Sequence, residues 1–306
     1  MIGGKIGTLK GMLALVGAAF TVASFGILVH VVSPMFGTGM QSFLRAFIAA
    51  VLIAIVIALR RRLAKLTRGQ LIRTIFVGLG AFATFTLFTV SVHTVKIGTA
   101  MGVLYGCSII SACLTGAIFL KEKFTVVQLA GTVLALAGLG MYAGGAGLGG
   151  ISIGIIAGAC AGVSDGIANC IRKTLKGVDR NTVVMYQSIV NAFGALAVVF
   201  ATNERYVVHA SLAASAGIVC LGLLSLGLGS MLLYGFSHFE VHVGAVILSS
   251  QVFFAVLLGA VFLRELPTPH ELIGCTLVCA GGALTALQGS KVLAWFSRKK
   301  VVYEDA

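Results

Sequence analysis

Ten apolar stretches, each about as long as a bilayer crossing, constrain this chain more than anything else in its sequence. Their approximate limits are 11–32, 37–59, 71–92, 97–120, 124–143, 151–172, 181–201, 211–236, 241–263 and 268–288. A hydrocarbon core needs roughly 20 apolar residues per helical crossing. It offers no water to backbone N–H and C=O groups, so runs of this length close their hydrogen bonds internally, as helices. The chain is 58% hydrophobic and only 10% charged, with a mean hydropathy of +1.06, which leaves too little polar surface to cover a soluble globule of this size. The expectation is an all-α membrane protein with ten transmembrane helices, multi-pass, in a bacterial inner or plasma membrane. The first apolar run follows Lys5 and Lys10, as in a signal peptide, but its length favours an uncleaved span.

A formal charge of +13 raises the question of nucleic acid. The basic residues, however, sit at the ends of apolar segments and not on one face of a soluble domain, so no nucleic-acid partner is expected. Counted over alternate connections, eighteen Lys and Arg fall on one side and only Lys96, Arg205 and Arg264 on the other. The positive-inside rule then places both termini in the cytoplasm, with 291–306 as a basic cytoplasmic tail. The seven cysteines all lie within predicted spans and form no CxxC pair, so they read as small packing residues. Residues 144–150 read GGAGLGG and contain a literal GxGxxG, but no strand precedes it and no βαβ unit could hold a dinucleotide. It reads as a turn, and no cofactor is expected.

The chain repeats itself. Phe119-Leu120-Lys121-Glu122, followed by Thr125, Gly131 and Gly138, recurs as Phe262-Leu263-Arg264-Glu265, followed by Thr268, Gly274 and Gly281, at a constant offset of 143. Gln41-Ser42 with Arg45, Ala46 and Phe47 recurs as Gln187-Ser188 with Asn191, Ala192 and Phe193, at an offset of 146. Each half, 1–145 and 150–290, then holds five helices. Because five is odd, the second half must enter the membrane upside down relative to the first, the arrangement found in alternating-access carriers with a binding site near the midplane.

Five plus five helices, an early Pro34, Arg45 opening the second helix, and a fourth helix ending FLKE, repeated as FLRE, resemble the drug/metabolite transporter superfamily, specifically its EamA-like branch. The resemblance covers essentially the whole chain. It implies transport of small metabolites, amino acids or drugs, often outward, and marks Glu122 and Glu265 as the family's repeated acids. One departure is plain: the branch commonly has a proline near the middle of helices four and nine, where this chain has Ile109 and Val252, so both helices are expected to lack a kink.

Several residues could carry chemistry. Asp165 is an acid within a span, and Asn169 shares its helix face. Together they could form a proton or substrate-amine site, or tie one helix to the next. Gly154, Gly158, Gly162 and Gly166 beside them form a smooth strip for close approach, echoed by Gly98, Gly102 and Gly106 on helix four. Arg45 could pair with a carboxylate or phosphate, or snorkel outward; its repeat mate Asn191 is neutral. Glu122 and Glu265, each next to a cation, read first as interfacial caps or ion pairs. Gln41, Gln187, Ser24, Ser108, Tyr105, Tyr234 and Gln251 are further polar groups in spans from which a midplane pocket could draw its hydrogen bonds, with Phe85, Phe88, Phe236, Phe253 and Phe254 as possible walls. His238, Glu240 and His242 invite a metal, but they lie in a short turn with no fourth ligand nearby, so no metal is expected.

No ATP-binding motif, HExxH, nucleophile elbow or filter-like loop is present, which argues against a pump, an enzyme and a channel. The expected function is therefore secondary transport of a small organic metabolite or drug by alternating access. Export is the expected direction, with uptake of a vitamin, amino acid or nucleoside derivative as the alternative. The expected partners are a small-molecule substrate, the lipid bilayer and protons as a coupling ion. The sequence leaves the oligomeric state open.

Overall fold

A computed structural model describes residues 2–60, 63–95, 97–145, 153–204, 211–264 and 267–289. All regular elements among them are helical: α1 (Ile2–Val32), α2 (Thr38–Arg60), α3 (Arg68–Thr94), α4 (Ile97–Leu120), α5 (Val126–Gly145), α6 (Ile153–Thr174), α7 (Arg180–Thr202), α8 (Leu212–Phe236), α9 (Val241–Leu248), α10 (Gln251–Leu258), a single π-helical turn (Gly259–Leu263) and α11 (Pro269–Gly289). Eight helical segments among the described residues are long and apolar enough to cross a membrane, with Val241–Phe262 counting as one. α5 contributes only a shorter apolar segment, Val126–Met141, and α11 is not among the eight, so ten clear spans are not found. The FLRE acid Glu265, residues 146–150 of the turn expected at 144–150, and the tail lie outside the described residues, while Gly144 and Gly145 end α5.

Local sequence sets the helix limits. Thr67 and Gln70 form a capping box, each side chain closing the other's backbone N–H, and α3 therefore starts three residues before the hydropathy limit. The repeat reappears here as geometry. Thr125 and Gln128 make a capping box at the start of α5, and Thr268 with Glu271 makes the same box at the start of α11. Lys121 and Arg264, the third residues of FLKE and FLRE, both take the left-handed conformation, at φ 53° and 55°. A non-glycine residue is uncommon there, so matching outliers at matching positions mark one helix-ending turn used twice.

The halves also pack as mirror partners. α5 crosses α11 with Gly131 against the Gly281 carbonyl and Gly138 against the Gly274 carbonyl, where an added Cβ would sit 2.8 Å and 2.6 Å from those oxygens. Since Gly274 and Gly281 are the repeat mates of Gly131 and Gly138, this is an antiparallel, self-complementary contact between equivalent helices. α2 runs antiparallel to its own mate α7: Gly39 lies against Val199, while Ile53 and Ile57 pack with Val183 and Val184. Glu204 closes one end of this pair by accepting hydrogen bonds from the Gly39 and Met40 N–H groups at 2.7 and 2.9 Å, capping the start of α2 from across the repeat.

The expected absence of kinks holds for only one of the two helices. α4 runs unbroken through Ile109, but its counterpart is interrupted at Ser249–Ser250, two residues before Val252 at its nearer end. Ser249 Oγ donates to the Val246 carbonyl at 2.7 Å, and the next amides reach back only three residues, Ser250 to Ile247 and Val252 to Ser249. A serine hydroxyl that competes for a backbone carbonyl interrupts the helix here without a proline, while the Ser250 hydroxyl beside it has no partner.

Candidate functional site

The residues paired by the repeat meet in the interior. Gln41, Ser42 and Arg45 of α2 and Gln187, Ser188 and Asn191 of α7 are all buried. Because the two helices run antiparallel, the six form a polar band through the centre of an otherwise apolar bundle, with Gln41 towards one end and Gln187 towards the other. Several of their atoms lack a hydrogen-bond partner: Gln41 Oε1, Ser42 Oγ, Arg45 Nη2, Gln187 Oε1 and Asn191 Oδ1. Gln41 Nε2 is engaged, donating to the Phe36 carbonyl at 2.8 Å.

A narrow crevice opens along this band. Ala46 and Ala49 of α2, Ala81 and Phe85 of α3, Arg172 of α6, Gln187, Ser188 and Asn191 of α7, and Ser225, Leu228, Gly229 and Leu232 of α8 line it, and about 30 Å³ of it is open to a water. One helical turn further towards the basic end of the bundle lies a second, roomier opening of about 220 Å³, bounded by Leu175, Lys176, Arg180, Val183 and Tyr234. Tyr234 thus belongs to this opening and not to the central band, with the Arg180 guanidinium 5.0 Å from its ring centre.

Arg45 does not snorkel. It is 4% exposed and lies over two rings, 4.0 Å from the centre of Phe85 and 5.5 Å from that of Phe25. Phe85 is part of the crevice wall, so the guanidinium stands directly behind that wall.

Asp165 and Asn169 are buried, and they tie α6 to α4. Ser108 Oγ donates to Asp165 Oδ2 at 2.7 Å, and Asn169 Nδ2 donates to the same oxygen at 3.0 Å. Arg172 closes the chain by donating to Asn169 Oδ1 and pairing with Asp165 at 3.8 Å. Arg172 is the last residue of the span expected at 151–172, the place of a helix-end charge. In the structure it is 4% exposed and shared between this network and the crevice. The signal was there: Asp165, Asn169 and Arg172 fall at i, i+4 and i+7, one stripe of a helix. The glycine strip beside them lies under α4, with Gly162 beneath the Leu104 carbonyl and Gly166 beneath that of Ser108, whereas Gly106 on α4 faces open space.

The remaining candidates disperse. Ser24 Oγ donates to the Phe20 carbonyl one turn back. Tyr105 is buried in the core cluster, as is Phe236. Gln251 is fully buried at the helix break, and neither end of its amide has a partner. Phe253 is exposed. His238 contacts the Tyr234 carbonyl and Ser237 Oγ, whereas His242 faces Glu122, so the two imidazoles serve different partners.

Glu122 is more deeply engaged than an interfacial cap. Its carboxylate accepts from Lys173 Nζ at 2.5 Å and from the Val241 N–H at 3.0 Å, and lies 3.2 Å from His242 Nδ1. It therefore binds α6 and the start of α9 to the α4–α5 turn. Burial pushes this carboxyl up, but the hydrogen bonds from His242, Lys173 and Val241 outweigh it, and the group is held below its ordinary value. A depressed folded value stabilises the ionised protein above the unfolded carboxylate value of about 4.3, and that stabilisation is lost as pH falls through the folded value. Wild-type protein in detergent should therefore lose thermal stability on acidification below about pH 4.3, and Glu122→Gln, already weakened at neutral pH, should lose less. Equal slopes for the two proteins would remove Glu122 from this role.

The EamA-like transporter family matches the chain twice, over residues 9–143 and 148–287. No curated protein sequence matches it. A solved structure described only as a crystal structure of a protein is similar in fold, with a TM-score of 0.72 at 19% identity over 93% of this chain and 98% of that one.

Proposed function

Because the chain belongs to the EamA-like transporter family, and so to membrane transporters of small molecules, we propose that it is a secondary carrier that moves a small organic molecule outward by alternating access. In this reading ten helices form two inverted five-helix repeats, 1–145 and 150–290, and both termini, with the tail 291–306, face the cytoplasm. The matched capping boxes and the antiparallel α5–α11 and α2–α7 pairs support the inversion.

The observation that carries the proposal is the polar band beside the crevice. Polar groups that merely cement helices are bonded to one another. Here Gln187 Oε1, Asn191 Oδ1 and Arg45 Nη2 are buried without partners, and each such group costs about 1–3 kcal/mol. A bound solute would satisfy them. The crevice lies where two equivalent helices from opposite halves meet, so rocking of the halves would expose it first on one side and then on the other. The opening beside Lys176 and Arg180 lies on the basic face, which the positive-inside rule assigns to the cytoplasm, and movement of the buried Val183 and Leu233 would join it to the crevice.

Counterflow in proteoliposomes against a metabolite panel, with and without a pH gradient, tests the function. Saturable exchange of a restricted set of small organic solutes is expected; exchange of none would contradict the carrier reading. Dependence on the gradient separates proton-coupled from downhill transport.

A further inference from the structure

The charges around the crevice do not balance. Arg172 is paired with Asp165 at 3.8 Å, but no carboxylate among the described residues lies within ion-pair reach of Arg45. The rings of Phe85 and Phe25 attract the Arg45 guanidinium through their faces, yet they offer no acceptor to its N–H groups, and Nη2 remains unbonded. A guanidinium installed only for packing would have its donors closed by carbonyls or by an acid. This one is a planar fork with one positive charge in excess, behind the wall of a crevice.

The approach to it has the same sign. Lys176 and Arg180 border the opening at the basic end, Arg172 stands further in, and among the described residues no acid lines either the opening or the crevice. Asp179, next to Arg180, is turned back to cap α7, accepting from the Thr182 N–H at 2.9 Å and the Thr182 hydroxyl at 2.7 Å. A cleft lined by one sign of charge between low-dielectric walls gathers ions of the other sign. The acceptors Gln187 Oε1 and Asn191 Oδ1, unpartnered on the α7 side of the crevice, call for donors on the solute as well.

We propose that the carried solute is a small organic anion: its carboxylate or phosphate group meets Arg45, and hydroxyl or amine donors elsewhere on it meet Gln187 and Asn191. The assignment rests on the carrier reading and deepens it. Asn191, the repeat mate of Arg45, is neutral, so the site holds its anion off the symmetry axis, on the side of the first repeat.

The test is counterflow with matched solutes that share one carbon skeleton and differ only in one group: the carboxylic acid, its primary amide and the phosphate monoester. Each is measured on wild type, Arg45→Gln and Arg45→Lys. We expect the acid or the phosphate to exchange at least tenfold faster than the amide, and which of the two exchanges assigns the group. Arg45→Gln should reduce anion exchange at least tenfold, and the same anion should raise the unfolding temperature of wild type in detergent but not that of the variant. Should Arg45→Gln fail to reach the membrane, Arg45→Lys decides, with an expected several-fold rise in KM for the anion and little change in kcat. An amide that exchanges as well as the acid, or Arg45 variants with wild-type KM and kcat for the anion, would overturn the proposal while leaving a carrier. Exchange of no solute by wild type would overturn the carrier reading and this proposal with it.

Discussion

Asp165→Leu will be among the most damaging single substitutions in this protein. It strips Arg172 of its only ion-pair partner among the described residues and removes the acceptor that Ser108 and Asn169 share. Breaking a buried pair by deleting one member costs about 3–5 kcal/mol, because the surviving charge is left in a low-dielectric interior. The cost belongs to the orphaned charge, so the double variant Asp165→Leu with Arg172→Met should recover most of it, and unfolding in detergent can measure both. Asp165→Asn keeps an oxygen for Ser108 and should fall between wild type and Asp165→Leu. The same variant tests whether the acid couples transport to protons. With both oxygens tied into the α4–α6 network, Asp165 acts as a tether, and Asp165→Asn should leave the pH dependence of transport unchanged. Loss of that dependence would make Asp165 the coupling group.

Gly162→Val should be comparably severe, for a different reason. The Cβ of any residue at 162 would collide with the Leu104 carbonyl, and it would lie 2.8 Å from Cys107 Cβ. Backbone cannot swing aside as a side chain can, so α4 and α6 must separate. Overpacking of this kind costs about 1–3 kcal/mol, occasionally more. Here the separation also stretches the Ser108–Asp165 bond one turn away, which adds part of the previous penalty. Gly106→Val is the control, since nothing lies within 4 Å of that position. The yield of folded protein and its unfolding temperature should drop for Gly162→Val and stay near wild type for Gly106→Val. Equal losses would mean that glycine content, and not the crossing, sets stability.

Much of this was legible in the sequence, because a repeat and a hydropathy pattern are statements about spacing. Gln41-Ser42 with Arg45, aligned on Gln187-Ser188 with Asn191, marked the duplication that the structure turns into a polar band, and FLKE against FLRE marked the matching segments that end in the paired turns at Lys121 and Arg264. The structure adds what spacing cannot express. A terminal arginine on a membrane helix looks the same in sequence whether it snorkels or turns inward, so Arg172 was missed until its partners were in place. The glycine strips of α4 and α6 look alike, yet at the contact it is the α6 glycines that lie under α4 carbonyls, while Gly106 faces open space. The break at Ser249–Ser250 depends on which carbonyl a hydroxyl chooses. Glu122 and Glu204 each grip a helix start more than a hundred residues away in sequence, and no local pattern encodes that.

As the substrate site of an alternating-access carrier, the crevice beside Asn191 must open to each side of the membrane in turn. The most direct measurement is the accessibility of a single cysteine placed there. In a background with the seven native cysteines replaced, Asn191→Cys is reconstituted in vesicles of known orientation and challenged from either side with a membrane-impermeant maleimide. The account predicts that the position is labelled from both sides, and that a transported solute alters the rates. Labelling from one side only, with or without solute, would contradict it.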